Sequence, residues 1–169
     1  MADFPELATA RLLLRAMTDA DIPALVKYAN NPKIAERVLN IPYPYREYDA
    51  IFRMSKVLQG FNRKTHFSFA MILEDTQELI GEIGLHPLPG GKQGQLAYWV
   101  AEPCWGKGLA TEAVAAVLDF GLSTLSLELV FAECKRDNLG SIRVLEKNAM
   151  QAVGTGRSVE QYYRKKEQG

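Results

Sequence analysis

Residues Pro103 to Ala113 read PCWGKGLATEA and join a predicted strand to a predicted helix through closely spaced glycines. Glycines carry no side chain, so their backbone N–H groups can converge on an anion. The unpaired N–H groups at the start of the following helix favour negative charge at the same point. Lys107 adds a cation to the loop. Because glycine-rich loops before helices are also common turns, the loop alone leaves phosphate binding and a simple turn open.

The segments on either side of this loop predict a strand–helix–strand unit. Residues 94–101 are rich in aromatic and β-branched side chains and lie between Gly and Pro, as in a strand. Residues 110–125 place small and apolar side chains at helical spacing, and residues 127–134 predict a second strand. Such a crossover pairs its strands in parallel and places the glycine loop at the carboxyl end of its strand, where α/β folds bind ligands.

The loop matches neither of the two common nucleotide-binding motifs. No G-x-x-x-x-G-K-[ST] occurs, because Gly90-Gly91-Lys92 is followed by Gln93. No G-x-G-x-x-G opens a helix near the amino terminus. The sequence therefore does not indicate a kinase or a dehydrogenase.

The loop does resemble the pyrophosphate-binding segment of the GNAT superfamily of acyl-CoA N-acyltransferases. Residues 138–150, NLGSIRVLEKNAM, are similar to the N-x-x-S-x-x-x-L-E-K-x-G-[FM] helix of the RimJ/RimL branch. Residues 9–15 and 119–127 also resemble that branch, so the similarity covers nearly the whole chain. Two positions depart from the pattern: Trp105 stands where the superfamily usually has Gln or Arg, and Ala149 stands where the branch has glycine.

The resemblance implies an α/β fold of mixed α+β type. It is the GNAT fold, with a central, mixed, mostly antiparallel sheet of about seven strands, about four helices, and a parallel strand pair at the acyl-CoA site. The length, with 47% hydrophobic and 24% charged residues, predicts one domain over residues 1–169. The residues themselves predict a hairpin over 66–86 and a capping box at Thr18 and Asp21 ahead of the first helix.

The resemblance also implies acetyl-CoA as cosubstrate and assigns the residues that hold it. Backbone amides of the loop are expected to bind the pyrophosphate, and strand-edge groups and an asparagine amide to contact the pantetheine arm. The set is Val100, Ala101, Trp105, Gly106, Lys107, Gly108, Leu109, Ala110, Thr111, Asn138 and Ser141. From the residues alone, Asn138 is also a candidate helix cap, and the Tyr98, Trp99 and Val100 side chains are candidates for sheet packing.

Three residues are candidates for catalysis. By resemblance, Ser141 donates a proton to the sulfur of CoA and Glu160 is the general base. Without the resemblance, Ser141 is a helix serine and Glu160 a surface residue of a terminal strand. Glu82 competes with Glu160 for the base role, since its predicted strand face points either into the acceptor cleft or into water.

Other partners and cofactors are not indicated. The two histidines, His66 and His86, have no companions at ligand spacing, so we predict no metal and no Ser-His-Asp triad. The chain has 20 Lys and Arg residues and 20 Asp and Glu residues, so it carries no net positive charge that would attract nucleic acid. No signal peptide and no run of about 20 apolar residues is found, so we expect no membrane association and a cytoplasmic protein.

The sequence thus predicts an acetyl-CoA-dependent N-acetyltransferase that acts on a primary amine by direct attack in a ternary complex. The resemblance suggests a protein N-terminal α-amine as acceptor. The alternatives are a small-molecule amine (an amino acid, a polyamine or an antibiotic) and a non-catalytic acyl-CoA-binding sensor. Basic residues outnumber acidic ones over residues 41–64, which disfavours polycationic acceptors. A monomer and a homodimer both remain open.

Overall fold

The computed structural model describes residues 3–38, 40–154 and 159–168. Within these ranges the chain forms one eight-stranded sheet and five α-helices. In chain order the elements are β1 (Leu7–Ala8), β2 (Leu12–Arg15), α1 (Ile22–Ala29), α2 (Pro32–Ala35), α3 (Glu47–Asn62), β3 (Phe67–Leu73), β4 (Glu78–Pro87), β5 (Gln93–Val100), α4 (Leu109–Asp119), β6 (Leu129–Lys135), α5 (Leu139–Lys147), β7 (Gln151–Ala152) and β8 (Val159–Lys165).

The strands lie in the order β1-β2-β3-β4-β5-β6-β8-β7. Each neighbouring pair is antiparallel except β5–β6, which is parallel. The predicted mixed sheet with one parallel pair is confirmed, as are the β3–β4 hairpin and the capping box, in which Thr18 N–H donates to the Asp21 carboxylate at 2.8 Å. The two-residue strand β1 is too short to give an alternation signal in the sequence, whereas β7 and β8 lie where short terminal strands are predicted around residues 152–153 and 159–163.

The sheet separates two hydrophobic cores. Helices α4 and α5 cover one face, where Phe69, Val117 and Leu145 are buried. Helices α1 to α3 cover the other face over β3, β4 and the end of β5, and there Leu25 and Trp99 are buried. Each such side chain contributes about 1.5–3 kcal/mol by leaving water, so both faces hold the sheet firmly in place.

The second face is not covered along its whole width. Ala97 on β5 lies on the same face of the sheet as Trp99. On β6, Glu133 stands between the buried Ala132 and Cys134, so its side chain points to the face that carries Ala97. Both Ala97 and Glu133 are exposed. The sheet therefore presents an open surface beyond the last helix on this side.

Helix α5 ends in a Schellman motif built around an alanine. The Met150 N–H donates to the Leu145 carbonyl at 3.1 Å and the Ala149 N–H donates to the Glu146 carbonyl at 3.0 Å. Ala149 has φ 56°, the left-handed conformation that glycine adopts without strain. The departure from the RimJ/RimL pattern at this position therefore leaves the turn in place and strains one residue.

We expect Ala149→Gly to raise the free energy of unfolding by about 1 kcal/mol, because the left-handed conformation is costly for a residue with a Cβ. Ala115→Gly, at an exposed position inside α4, is the matched control and is expected to lower it by about 1 kcal/mol. Urea unfolding of the two variants measures both values. A loss of stability in both would contradict the strain at Ala149.

Candidate active site

The glycine loop has the backbone conformation of an anion site. Gly106 and Gly108 have φ 73° and 77°, and no heavy atom lies within 4 Å of a Cβ built at Gly106. Helix α4 begins at Leu109, and the Glu112 N–H donates to the Gly108 carbonyl at 3.1 Å. The amides before Glu112 in the first turn have no carbonyl of their own helix to bond. The loop thus combines open space with N–H groups and the positive end of a helix dipole.

A clamp from the amino-terminal segment holds this loop in place. The Arg11 guanidinium donates to the Lys107 carbonyl at 2.9 Å and to the Glu112 carboxylate at 2.9 Å. The other Glu112 oxygen accepts from the Thr9 hydroxyl and from the Arg11 N–H, each at 2.7 Å. Burial alone raises the pKa of Glu112, but these hydrogen bonds hold it below its usual value. The negative charge in the first turn of α4 is therefore neutralised by Arg11.

The second part of the site is a gap between the two parallel strands. Strands β5 and β6 pair only from Gln93 to Leu96 and from Leu129 to Ala132, although both strands continue beyond that point. Strand β5 remains paired with β4 up to Val100. It is therefore β6 that diverges, and the gap opens towards the glycine loop.

Backbone groups of β5 line this gap. The Ala101 N–H donates to the Ile80 carbonyl at 2.7 Å, and peptide groups alternate in direction along an antiparallel ladder. The peptide groups of Tyr98 and Val100 therefore point away from β4 and towards β6. The Val100 carbonyl accepts from the Trp105 indole N–H at 2.7 Å, which ties the loop to the strand end and leaves the Val100 N–H facing the gap.

Helix α5 brings a serine to the mouth of the gap. Asn138 caps this helix, because its side-chain oxygen accepts from the Ser141 N–H at 3.3 Å. The Ser141 hydroxyl lies 2.7 Å from the Tyr98 hydroxyl. Burial raises the pKa of Tyr98 to about 12, more than the hydrogen bond to Ser141 lowers it, so Tyr98 stays protonated near neutral pH. From the sequence, Tyr98 is a candidate for sheet packing, because no local signal links it to Ser141, which lies 43 residues further along the chain.

Glu160 lies on the same side of the sheet as Ser141. It pairs across β6–β8 with Cys134. Burial and then the Glu160 charge raise the pKa of the Cys134 thiol, more than the nearby Ser141 hydroxyl lowers it, and the same two causes raise the pKa of the buried Tyr162. The structure thus gathers Ser141 and Glu160 around one thiol. No motif in the sequence points to that cysteine.

Glu82 lies on the opposite face of the sheet. Its side chain is 8% exposed and forms an ion pair with Arg53 of α3. The same carboxylate accepts from the Ser68 hydroxyl at 2.7 Å and from the Trp99 indole N–H at 3.5 Å. Burial alone raises the pKa of Glu82, but Arg53 and these hydrogen bonds hold it below its usual range. Glu82 therefore does not face open water, because its carboxylate lies buried beneath Arg53.

The two histidines lie near Glu82 with their rings packed edge to face, centroids 3.8 Å apart and planes inclined at 60°. Burial lowers the pKa of His66 to about 4, helped by His86 and Arg53, and burial also lowers the pKa of His86. In the ranges that the structure describes, no group of three or more His, Cys, Asp or Glu residues is arranged to hold a metal ion. None of the helices in those ranges is long and apolar enough to cross a membrane.

The comparisons with known proteins agree with this geometry. The acetyltransferase (GNAT) domain family matches residues 11–151. The N-acetyltransferase YoaA of Bacillus subtilis is 30% identical over 156 residues, which cover 89% of this chain and 85% of YoaA. A GNAT-family acetyltransferase from Bacillus anthracis superposes with a TM-score of 0.78 at 24% identity, over 94% of this chain and 96% of the other.

A further solved structure is RimL, the ribosomal L7/L12 α-N-protein acetyltransferase, in complex with coenzyme A. It superposes with a TM-score of 0.86 at 17% identity and covers 95% of this chain and 98% of RimL.

The family match and the identity to YoaA show that the chain belongs to the GNAT acetyltransferase family and is an acetyl-CoA-dependent N-acetyltransferase.

We expect Arg11→Met to weaken acetyl-CoA binding about tenfold, because it removes charge-assisted hydrogen bonds from the loop and leaves Glu112 unneutralised beside it. Binding of acetyl-pantetheine, which lacks the pyrophosphate, is expected to stay unchanged. Calorimetric titration with both ligands measures the difference. Lys27→Met, which breaks the exposed Lys27–Glu78 ion pair away from the loop, is the matched control. An equal loss for both ligands would show that Arg11 acts on general stability and not on the pyrophosphate.

Proposed function

We propose that this enzyme transfers the acetyl group of acetyl-CoA to the N-terminal α-amine of a protein, by direct attack in a ternary complex. The observation that carries the proposal is the hydrogen-bonded Tyr98–Ser141 pair at the mouth of the β5–β6 gap. It places a proton donor beside an opening that leads from an anion-binding loop. That arrangement suits a thioester whose sulfur must be protonated as it departs.

The loop and the gap together fit the cosubstrate. We assign the pyrophosphate to the backbone amides of residues 106–111, with Lys107 as a nearby cation, because the loop is open and these amides lack helical partners. The Trp105 N–H donates to the Glu102 carbonyl and is not part of this set. We assign the pantetheine arm to the gap, which the peptide groups of Tyr98 and Val100 face, with Asn138 at the start of α5 as a further candidate contact. Ala101, also expected from the sequence to contact this arm, offers no free backbone group, because its N–H donates to Ile80 and its carbonyl accepts from the Cys104 N–H. Strand-edge amides that lack a partner strand can bond an amide-bearing chain as a strand would.

Each residue of the gap then has a defined task. Acetyl-CoA supplies the acetyl group as a thioester, which an amine can attack directly. The Val100 N–H faces the gap and donates to the thioester oxygen as negative charge develops there. As the new C–N bond forms and the C–S bond breaks, Ser141 gives its proton to the sulfur. Ser141 recovers a proton from Tyr98 along their 2.7 Å hydrogen bond, and Tyr98 from solvent.

The amine must lose a proton before or during its attack, and we assign this proton to Glu160. Glu160 is half-buried on the face that carries Ser141, next to Cys134, so an amine that enters from the opposite, open face reaches it through the gap. Glu82 suits the role less, because its carboxylate is saturated by Arg53, Ser68 and Trp99 and its pKa is lowered. A general base for an amine needs a pKa that is raised towards neutrality.

Two observations favour a protein acceptor over a small amine. The sheet surface around Ala97 and Glu133 is open beside the gap, which leaves room for a polypeptide to approach the acetyl group. RimL, which shares this fold, is by its name a protein α-N-acetyltransferase.

We place the activity in the cytoplasm, since Cys104 and Cys134 are both free thiols, as is usual in a reducing compartment.

We expect Ser141→Ala and Tyr98→Phe each to lower kcat by at least about tenfold, because each removes one hydroxyl from the proton path. Acetyl-CoA affinity is expected to change little. Turnover is measured as the release of free CoA thiol with peptides that carry a free N-terminal amine. The double variant is expected to be no slower than the slower single variant.

Tyr163→Phe is the matched control for the tyrosine, because it removes a hydroxyl that donates to Gln151 away from the gap. Full turnover in Ser141→Ala would remove Ser141 from the mechanism.

We expect Glu160→Gln to slow turnover most at the acidic end of the pH range, where the acceptor amine is mostly protonated and depends on a base. Glu82→Gln is expected to leave the shape of the pH–rate profile unchanged. The two profiles are measured at saturating acetyl-CoA. If Glu82→Gln alone alters the acidic limb, the base belongs on β4 instead of β8.

A further inference from the structure

A cation is held at the surface of the sheet face opposite α4 and α5. Arg53 donates to Glu82 through both Nε and Nη2, and Nη2 also donates to the Ser68 hydroxyl at 3.3 Å. The Arg53 side chain is 30% exposed, whereas that of Glu82 is 8% exposed. The buried carboxylate therefore fixes the guanidinium in one orientation while part of it remains open to solvent.

The outer edge of this guanidinium is available to a ligand. Among the described residues, Arg53 Nη1 makes no hydrogen bond. The planar fork of an arginine matches a carboxylate, and a guanidinium that is already oriented loses little side-chain entropy when it binds one. Arg53 is partly exposed and lies above the buried Glu82, so its guanidinium presents positive charge towards solvent.

Arg53 also stands close to the acetyl end of the gap. Glu82 is the direct cross-strand partner of Trp99, which precedes Val100 in β5. Trp99 shares its face of the sheet with the exposed Ala97. An acceptor that approaches over this open face and presents its amine at Val100 therefore passes beside Arg53.

The groups that face Arg53 do not compete for an anion. His66, just before β3, and His86 on β4 are titratable neighbours, and the lowered pKa of each keeps it neutral near pH 7. Tyr45, before α3, is neutral as well, because burial raises its pKa to about 12. On α3 itself, Lys56 lies one turn further on and is exposed. Asp49 lies one turn earlier and accepts from the Arg46 N–H at the helix start. Glu82 is the carboxylate that contacts the guanidinium, and it is buried beneath it.

We infer that Arg53, oriented by Glu82 and Ser68, binds a carboxylate of the acceptor, so that the enzyme selects amines that carry an acidic group near the reacting nitrogen. Arg53 is a specificity-determining residue and takes no part in proton transfer. The inference rests on the proposed function, because it concerns the acceptor of the same reaction.

The test compares pairs of acceptors that differ in one carboxylate. One pair is a C-terminally amidated peptide with Asp as its second residue and the same peptide with Asn. The other pair is alanine and alaninamide, which asks whether the carboxylate belongs to a free amino acid instead of a peptide side chain. We expect at least about a tenfold preference in kcat/KM for the acidic member of one pair, the size of a charge-assisted hydrogen bond.

The variant that tests the assignment is the double substitution Arg53→Met with Glu82→Gln. Arg53→Met alone leaves a buried unpaired carboxylate, which is costly enough to unfold a domain. The double variant removes both charges and is expected to reduce the acceptor preference to about onefold, with acetyl-CoA affinity retained as the sign of an intact fold. Lys56→Met is the control, because it removes an exposed cation of the same helix that contacts Phe52 and not Glu82. Its preference is expected to match that of the parent.

The outcomes distinguish a failure of the role given to Arg53 from a failure of the proposed function. Thiol release without preference in either pair, or a preference that survives in the double variant, overturns the role of Arg53 and leaves the acetyltransferase mechanism standing. No thiol release with any amine contradicts the proposed function, and the role of Arg53 falls with it.

Discussion

The separation of β6 from β5 after Ala132 is the constraint on which the site depends. A continuous parallel ladder would consume the backbone groups of Tyr98 and Val100 in strand pairing. Because the ladder stops, these groups are left at the edge of a strand that β4 still holds from its other side. The glycine loop, the Ser141 hydroxyl and the open sheet face all border this one gap, so in the proposed mechanism binding and chemistry share a single opening.

Two buried or half-buried carboxylates keep the walls of the site in position. Glu112 anchors Arg11 and through it the carbonyl of Lys107 in the loop. Glu82 anchors Arg53 above the opposite face of the sheet. In each pair the acid is the less exposed member, which leaves the arginine closer to solvent. The acids thus act as positioning groups, and their lowered pKa values keep them charged for that task at neutral pH.

Much of the fold was predictable because its signals are local. Glycines around Lys107, the periodicity of α4 and the alternation in β3 and β4 each act within one element, and they gave the parallel crossover and the hairpin. The contacts that build the site are long-range: Tyr98 with Ser141, Arg11 with Glu112, and Arg53 with Glu82. No spacing rule joins such residues. The sequence could name Ser141 and Glu82, but it could not say that one bonds a tyrosine and the other a buried arginine.

The most direct test of the β5–β6 gap as the acetyl-CoA site is amide hydrogen exchange in the presence and absence of acetyl-CoA. The amides of Tyr98 and Val100 face the gap, those of residues 106–111 lie in the loop, and the start of α5 around Ser141 borders both. We predict that these segments gain protection on binding, while the exposed face of α3 does not. Protection confined to other segments, with residues 97–111 unchanged, would contradict the account.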